Sequence, residues 1–460
     1  MKKLQKILEV LDMNKSKLIQ AKICNFFELK QGFAFPSKHF SKDGDLLVIK
    51  IKNIKSSGLD LSKKEFVSIE YSQTHKEFVP ADEDLLISLS GNRYEGSIET
   101  WAGKVSYYSG SPFCIINQRV GILRKRKNIN IDTRYFYYLL STIEEQKKLI
   151  LIATSSGGQA NLSKEQILTH KVNIHSFSEQ KAIAHILGTL DKKIILNKKI
   201  NENLDEIAKA LFKSWFIDFD PVIAKAEGRS TGLPDEISDL FPNSFEDSDL
   251  GKIPAGWEIT PIINLCQSIK SGGTPSRRNK SFWDKGNIKW FKTGEMKDCL
   301  LLESEEFITE DGLENSSCKY FDIGDILFAM YGATVGKIGI LTSQATSNQA
   351  AACLRPIAHI GTPFLACTLY ASRKRLMNIA TGAAQQNLYL GVVKKHKVLS
   401  PTQPLPKIFT DIITPLYQRQ FVSMKNIVIL KNLRNILLPQ LISGELRITD
   451  AEKIIEDLVK

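Results

Sequence analysis

Two stretches of the chain space their apolar side chains by fours and threes over ten successive positions. The first is Ile183, Leu187, Leu190, Ile194, Asn197, Asn201, Leu204, Ala208, Leu211 and Trp215. The second is Phe409, Ile413, Leu416, Gln420, Ser423, Ile427, Leu430, Arg434, Leu437 and Leu441. This spacing predicts two long helices with heptad seams. Each would cover about 40 residues, or about 58 Å at the rise of an α-helix. Both seams are apolar at their ends and polar at their centres, so antiparallel pairing sets polar centre against polar centre and fixes the register. Amphipathic helices packed separately on their own domains would show the same periodicity. Pro415 predicts a kink or a late start in the second helix.

Ahead of each helix the pattern changes to short β-like runs broken by Gly, Asn and Ser, as at Leu46–Ile51, Leu85–Leu89 and Val120–Leu123. An apolar, helix-like stretch follows at Tyr135–Leu151, and then a Gly-rich bend at Ser155–Gly158. The chain then repeats itself. Gln385, Leu388, His396 and Val398 each lie 226 residues after Gln159, Leu162, His170 and Val172. Asp325–Gly332 matches Asp84–Gly91 at an offset of 241, and Asn348-Gln349 matches Asn117-Gln118 at 231. The second copy is therefore the shorter, and loops absorb such differences most easily. The first repeat opens near Lys22, the second at Gly251. A duplication inside one chain implies two similar domains related by a pseudo-twofold axis, a geometry suited to duplex DNA.

A length of 460 residues accommodates two or three domains with their own cores. The net charge of +12 points to a polyanionic partner. Residues 218–250 hold nine acidic and two basic side chains, which leaves +19 for the remainder, so the positive charge belongs to the repeats. No apolar run is long enough for a membrane span, and the basic N-terminus lacks the apolar core of a signal peptide. Seven scattered cysteines without a C-x-x-C pair read as free thiols in a reducing cytoplasm.

The signatures of catalysis are missing. Gly332-Ala-Thr-Val-Gly-Lys337 is one residue short of a phosphate loop and has Ile338 where Ser or Thr would meet Mg²⁺. No methyltransferase tetrad or nucleophile elbow occurs, and Asp220-Pro221 reads as a helix-ending turn. The histidines lack metal-ligand spacing, so no metal site is expected. His170 and His396, at matched positions, read as structural. What remains suits DNA: cations for phosphate, and amides or guanidinium groups for base edges. The candidates are Asn92, Arg93 and Tyr94; Arg124 and Arg126 in a basic run; Gln159 and Asn161; Thr274, Arg277 and Arg278 after a Gly-Gly turn; Thr334 and Lys337; and Gln386 and Asn387. Two readers with different loops would read different half-sites.

Several segments resemble type I restriction-modification specificity subunits. Ser178–Ala184 through Lys213–Val222, Gly232–Asp235, Leu240–Gly251 and Gly256-Trp257 are similar to the central conserved region of that family, and Leu437–Leu446 is similar to its distal one. The resemblance implies an α+β fold with two pseudo-twofold-related α/β target-recognition domains, 23–177 and 251–404. These would be joined by long helices, 178–217 and 405–445, packed as an antiparallel coiled coil. A basic segment (1–22), an acidic linker (218–250) and a C-terminal tail (446–460) complete the organisation. The resemblance implies a non-catalytic subunit that reads a split site in double-stranded DNA across a fixed, unread spacer. It would dock two methyltransferase subunits and, outside them, restriction and translocase subunits. S-adenosylmethionine, ATP and Mg²⁺ would sit on those partners, none on this chain. The first repeat departs from the family in lacking the Gly-Trp entrance. An enzyme with an unrecognised active site and a coiled-coil scaffold without sequence preference are the alternatives to be tested.

Overall fold

The computed structural model describes residues 18–56, 58–94, 97–156, 158–249, 251–379 and 387–459. The chain divides into two compact units, Met1–Lys193 with Ile429–Lys460, and Ile194–Val428.

In the first unit a four-stranded antiparallel sheet has the order Phe27–Gln31, Val120–Lys125, Leu85–Ser88, Val105–Tyr107. Beside it, Leu46–Ile49 pairs in parallel with Cys114–Ile116 and antiparallel with Phe66–Val67. The second unit repeats this plan. Its main sheet runs Cys266–Ser271, Ala351–Pro356, Ile326–Ala329, Ile338–Leu341, with Cys299–Leu301 added in parallel at the edge. Ile288–Phe291 pairs with Glu306–Ile308 and, in parallel, with Thr346–Ser347. Even the register is retained. Leu86 faces Ile122, and Leu327 and Cys353, at offsets of 241 and 231, face each other in the second copy. A one-residue slip would turn every inward side chain outward, so a shared core demands a shared register.

The repeat begins earlier than Lys22. Ile19–Lys22 pairs with Lys171–Ile174, as Glu258–Pro261 pairs with Lys397–Ser400. The expected basic segment 1–22 thus has a strand at its end with a counterpart after Gly251; residues 1–17 lie outside the described residues. The expected helix-like stretch Tyr135–Leu151 is two helices, Thr133–Ser141 and Ile143–Ile152. Thr142 takes an extended conformation between them and its side chain accepts the Glu145 N–H, capping the second helix. The second unit has a single helix there, Gly361–Ile379. The acidic connector is folded: a helix at Asp220–Ala226, a short one at Asp235–Ser238, and a hairpin of Phe245–Ser248 with Gly251–Pro254. Asp220-Pro221 thus starts a helix, with Pro in the first turn where its missing N–H costs nothing. Phe241 packs edge-on against Trp215 at 5.3 Å, and Lys225 donates to the carbonyls of Ser238 and Phe241 at 3.0 and 2.6 Å. The expected tail contains a helix, Ile448–Val459.

The long helices span Phe177–Phe216 and Leu405–Ser443, and every seam position in both is buried or half-buried. They pair antiparallel within each unit. In the first, Arg434 bonds Asp191 at 2.8 Å, and Leu187, Leu190 and Leu437 are fully buried. In the second, the polar centres meet: Gln420 donates to the Asn201 carbonyl at 2.9 Å, and Ser423 to Asn197 Oδ1 at 2.9 Å. Ile413 and Leu430 are buried on the same seam, with Leu204 and Leu211 half-buried. The second helix does not start late at Pro415, which lies inside it on an exposed face. There water can hydrate the carbonyl left without a donor, so proline interrupts nothing buried. Packing onto each domain continues the seam: Phe212 and Phe409 lie 5.6 Å apart, with Phe364 against both.

Leu187→Ala removes a fully buried side chain from the seam and is expected to cost about 2–5 kcal/mol. Urea denaturation checks this, and a loss below about 1 kcal/mol would mean that the site collapses around the change.

Candidate nucleic-acid interface

Residues far apart in the sequence meet in a small polar ribbon of the first unit. Thr154–Ser156 and Gln159–Asn161 form a hairpin, and Ser90–Asn92 adds as a third strand. Gln159 faces Asn92 and Asn161 faces Ser90. Three expected DNA contacts, Asn92, Gln159 and Asn161, thereby become neighbours, and Arg93 and Tyr94 leave the edge of the same ribbon. Gly91 is required here, because a Cβ would stand 2.6 Å from the Ala102 nitrogen. Asn92 Nδ2 donates to Thr100 Oγ1 at 2.9 Å, and Tyr94 meets Trp101 edge-to-face at 5.7 Å. Asn92, Tyr94 and Gln159 are exposed, whereas Ala160 is buried and anchors the ribbon. The DNA major groove admits a two-stranded β-ribbon, the form of the hairpin made by Thr154–Ser156 and Gln159–Asn161.

The connection bearing this edge differs most between repeats. It spans 89–104 in the first unit but only 330–337 in the second. Both connections end in Gly-Lys before the strand, Gly103-Lys104 and Gly336-Lys337, with glycine φ values of +80° and +78°. The phosphate-loop-like run is therefore a duplicated strand entry. Lys337 donates to Asp298 at 2.7 Å, and Arg373 bonds the same carboxylate. Burial pushes the Asp298 pKa up, but these partners outweigh it and hold it low. Thr334 is half-buried in a short turn. Asn387 bridges Tyr331, the equivalent of the Asn161–Ser90 pair, while Gln386 lies outside the described residues.

The basic run is largely structural. Arg124 grips buried Asp84, with its closest contact at 2.7 Å. Arg355 grips buried Asp325 in the same way, at 2.9 and 2.7 Å. One ion pair thus ties the same two strands in both repeats. Arg126 bonds the Cys24 carbonyl and Glu28, each at 2.9 Å. In contrast, half-buried Arg93 and exposed Arg278 form no ion pair among the described residues. Arg277 is fixed in orientation, stacked 3.6 Å over the Trp283 ring and bonded to Glu306, whose carboxyl it holds below the usual range.

The sequence reading passed over two cavities in the second unit, one of about 650 Å³ and one of about 580 Å³. The smaller is lined by Thr274, Lys292, Thr293, Asn348 and Gln349, with Thr274 bonded to Gln349. Gly272 permits the backbone crossing beneath it, since a Cβ would lie 2.3 Å from the Asn348 carbonyl; Gly32 stands 2.4 Å from Asn117 in the same way. The repeated Asn-Gln was the signal for this site. The larger cavity is lined by Arg375, Tyr389, Lys395, His396 and Lys397, among others. His170 and His396 occupy equivalent places, since their carbonyls accept the N–H groups of Ile23 and Ile262 at 3.0 and 2.9 Å. The His170 ring bonds Glu145 at 2.7 Å, whereas the buried Nε2 of His396 has no hydrogen-bond partner among the described residues. Burial, with Arg375 nearby, lowers the His396 pKa to about 4.

Residues 20–206 and 254–429 match the family described as the type I restriction modification DNA specificity domain. The type I restriction enzyme HindI specificity subunit of Haemophilus influenzae is 26% identical over 375 residues, 72% of this chain and 81% of the relative. The MjaIX specificity subunit of Methanocaldococcus jannaschii is 27% identical over 278 residues, 59% of this chain and 60% of the relative. The crystal structure of a type I restriction-modification S subunit from M. genitalium shares the fold, with a TM-score of 0.57 at 16% identity, covering 94% of this chain and 97% of that one.

Arg124→Ala is expected to lower stability by about 1–3 kcal/mol, because it strands buried Asp84, and Arg93→Ala to leave the melting temperature unchanged while weakening DNA binding. Thermal melts and duplex titrations of both variants separate the roles; equal melts would remove the structural assignment of Arg124. Acid should also destabilise the second unit. His396 is neutral when folded but protonates near 6.5 when unfolded, so its contribution is present above pH 6.5 and is lost as pH falls toward 4, by on the order of 2–3 kcal/mol. Denaturation curves from about pH 7 to pH 5 should show His396→Gln losing less stability than the unsubstituted chain.

Proposed function

The chain belongs to the type I restriction-modification DNA specificity family, and we propose that it reads a bipartite target, one half-site per repeat, across a spacer that it does not read. DNA target recognition is the function of the family. The finer reading is supported chiefly by one observation: the repeats share strand order and register but differ in the connections that carry polar side chains. A shared frame presents two readers to similar backbones, and unlike loops meet unlike bases.

In the first unit we assign base contact to Asn92, Arg93, Tyr94, Gln159 and Asn161, the residues gathered at the ribbon. In the second the assignments are Thr274, Arg277, Arg278, Thr334, Gln386 and Asn387. Arg124, Arg126 and Lys337 act mainly through their carboxylate partners and touch phosphate at most. The long helices would dock two methyltransferase subunits, and restriction and translocase subunits would join through them. Exposed Ile195, Leu196 and Ile207 on the first helix, with Ile429 and Ile436 on the second, offer apolar surface for such docking. Under this reading the chain is non-catalytic, acts in the cytoplasm, and leaves S-adenosylmethionine, ATP and Mg²⁺ to its partners.

Exchanging residues 251–404 for those of another family member should change one half-site and leave the other, and the spacing, intact. Methylome sequencing of a host strain with the native and exchanged chains tests this. Changes in both half-sites, or DNA methylation by the purified chain alone, would overturn the proposal.

A further inference from the structure

The histidine asymmetry has a counterpart in charge. Residues 361–397 contain Arg373, Lys374, Arg375, Lys394, Lys395 and Lys397, and no Asp or Glu. The matching stretch of the first repeat, 133–171, carries five cations offset by Glu144, Glu145 and Glu165, so the nets are +6 and +2. Arg373 is held by Asp298, and Lys397 by exposed Asp249 at 2.9 Å. Lys374, Arg375, Lys394 and Lys395 form no ion pair among the described residues, and all but half-buried Lys394 are exposed. Arg375 and Lys395, on the helices Gly361–Ile379 and Leu390–Lys395, line with Lys397 the cavity where the imidazole of His396 lacks, among the described residues, the carboxylate that its twin receives from Glu145. The first repeat fills this place with an internal anion. The second leaves it basic and open to an external one.

We propose that this cavity and its rim in the second unit hold the DNA phosphodiester backbone, as a sequence-independent clamp that the first repeat lacks. DNA is favoured over an acidic protein by chain order. The two helices flank the segment whose equivalent in the first repeat, Gln159–Asn161, lies in the polar ribbon. Phosphate contacts fix the register of a reader whose other side chains meet base edges, and cations that border in sequence a segment assigned to base contact suit that part. The clamp rests on the target-recognition reading given above but makes a separate demand: affinity should be lost equally for target and random duplex.

The test uses the full-length chain carrying Arg375→Ala with Lys395→Ala, both exposed in the fold. Binding to a duplex bearing the mapped target, and to a random duplex, is measured across a salt series. Losing two phosphate contacts should reduce the slope of log affinity against log salt by about 1.8 and weaken both duplexes by about tenfold. The methylated sequence in cells should stay the same. Lys148→Ala, at a lysine already paired with Glu144 and Glu145, should leave the slope unchanged. An unaltered slope, or weakened assembly with methyltransferase subunits at unchanged DNA affinity, would overturn the clamp. If the unsubstituted chain shows no preference for the target, the target-recognition reading fails, whatever the double variant does.

Discussion

The antiparallel seam between the long helices governs the rest of the chain, and its polar centre sets its register. Leucine and isoleucine seams gain stability from burial but tolerate sliding by a heptad. The bonds from Gln420 to the Asn201 carbonyl and from Ser423 to Asn197 do not. Sliding would bury these amides and hydroxyls against apolar side chains, at about 1–3 kcal/mol for each group left without a partner. Arg434 with Asp191 repeats the restriction farther along, where Tyr138 also donates to Asp191 at 2.6 Å. The seam is thus tied to the domain core by the same carboxylate that pairs the helices.

Each duplicated domain separates what must stay from what can vary. The retained parts are those where a change would be expensive. Gly32 and Gly272 sit against the carbonyls of Asn117 and Asn348 too closely for any side chain. Asp84 and Asp325 are buried carboxylates, each paired with an arginine on the neighbouring strand and accepting a backbone N–H, from Ala81 and Asp322. The varied parts are solvated connections, where sixteen residues in one copy, 89–104, stand for eight in the other, 330–337. Length diverges where backbone can be hydrated and added residues cost little.

The residues expected at DNA differ in their partners within the chain for one reason. Arg124, Arg126, Lys337 and Arg277 look like free cations along the chain, yet each has a carboxylate partner. Those partners lie 40, 98, 39 and 29 residues away in sequence, at Asp84, Glu28, Asp298 and Glu306. Pairing of this kind depends on which strands are neighbours, and no local pattern reports it. The opposite case is Asn92 with Gln159, a contact across 67 residues that arises only because Ser90–Asn92 joins the later hairpin.

Periodicity and repetition, being local or self-referential, were legible without coordinates. The heptad seams, the polar centres, the repeat offsets of 241, 231 and 226 and the positive charge of the repeats follow from spacing and composition alone. So did the DNA-reading class, once the conserved-region resemblance was joined to them. Only the tertiary structure decided that the acidic connector is folded, that Ile19–Lys22 belongs to the first domain, and that His396 lacks, among the described residues, the partner of His170. Periodic burial is a property of one segment against a generic apolar surface. Ion pairing and hydrogen-bond satisfaction instead require a particular neighbour at a particular distance, which only the assembled fold supplies.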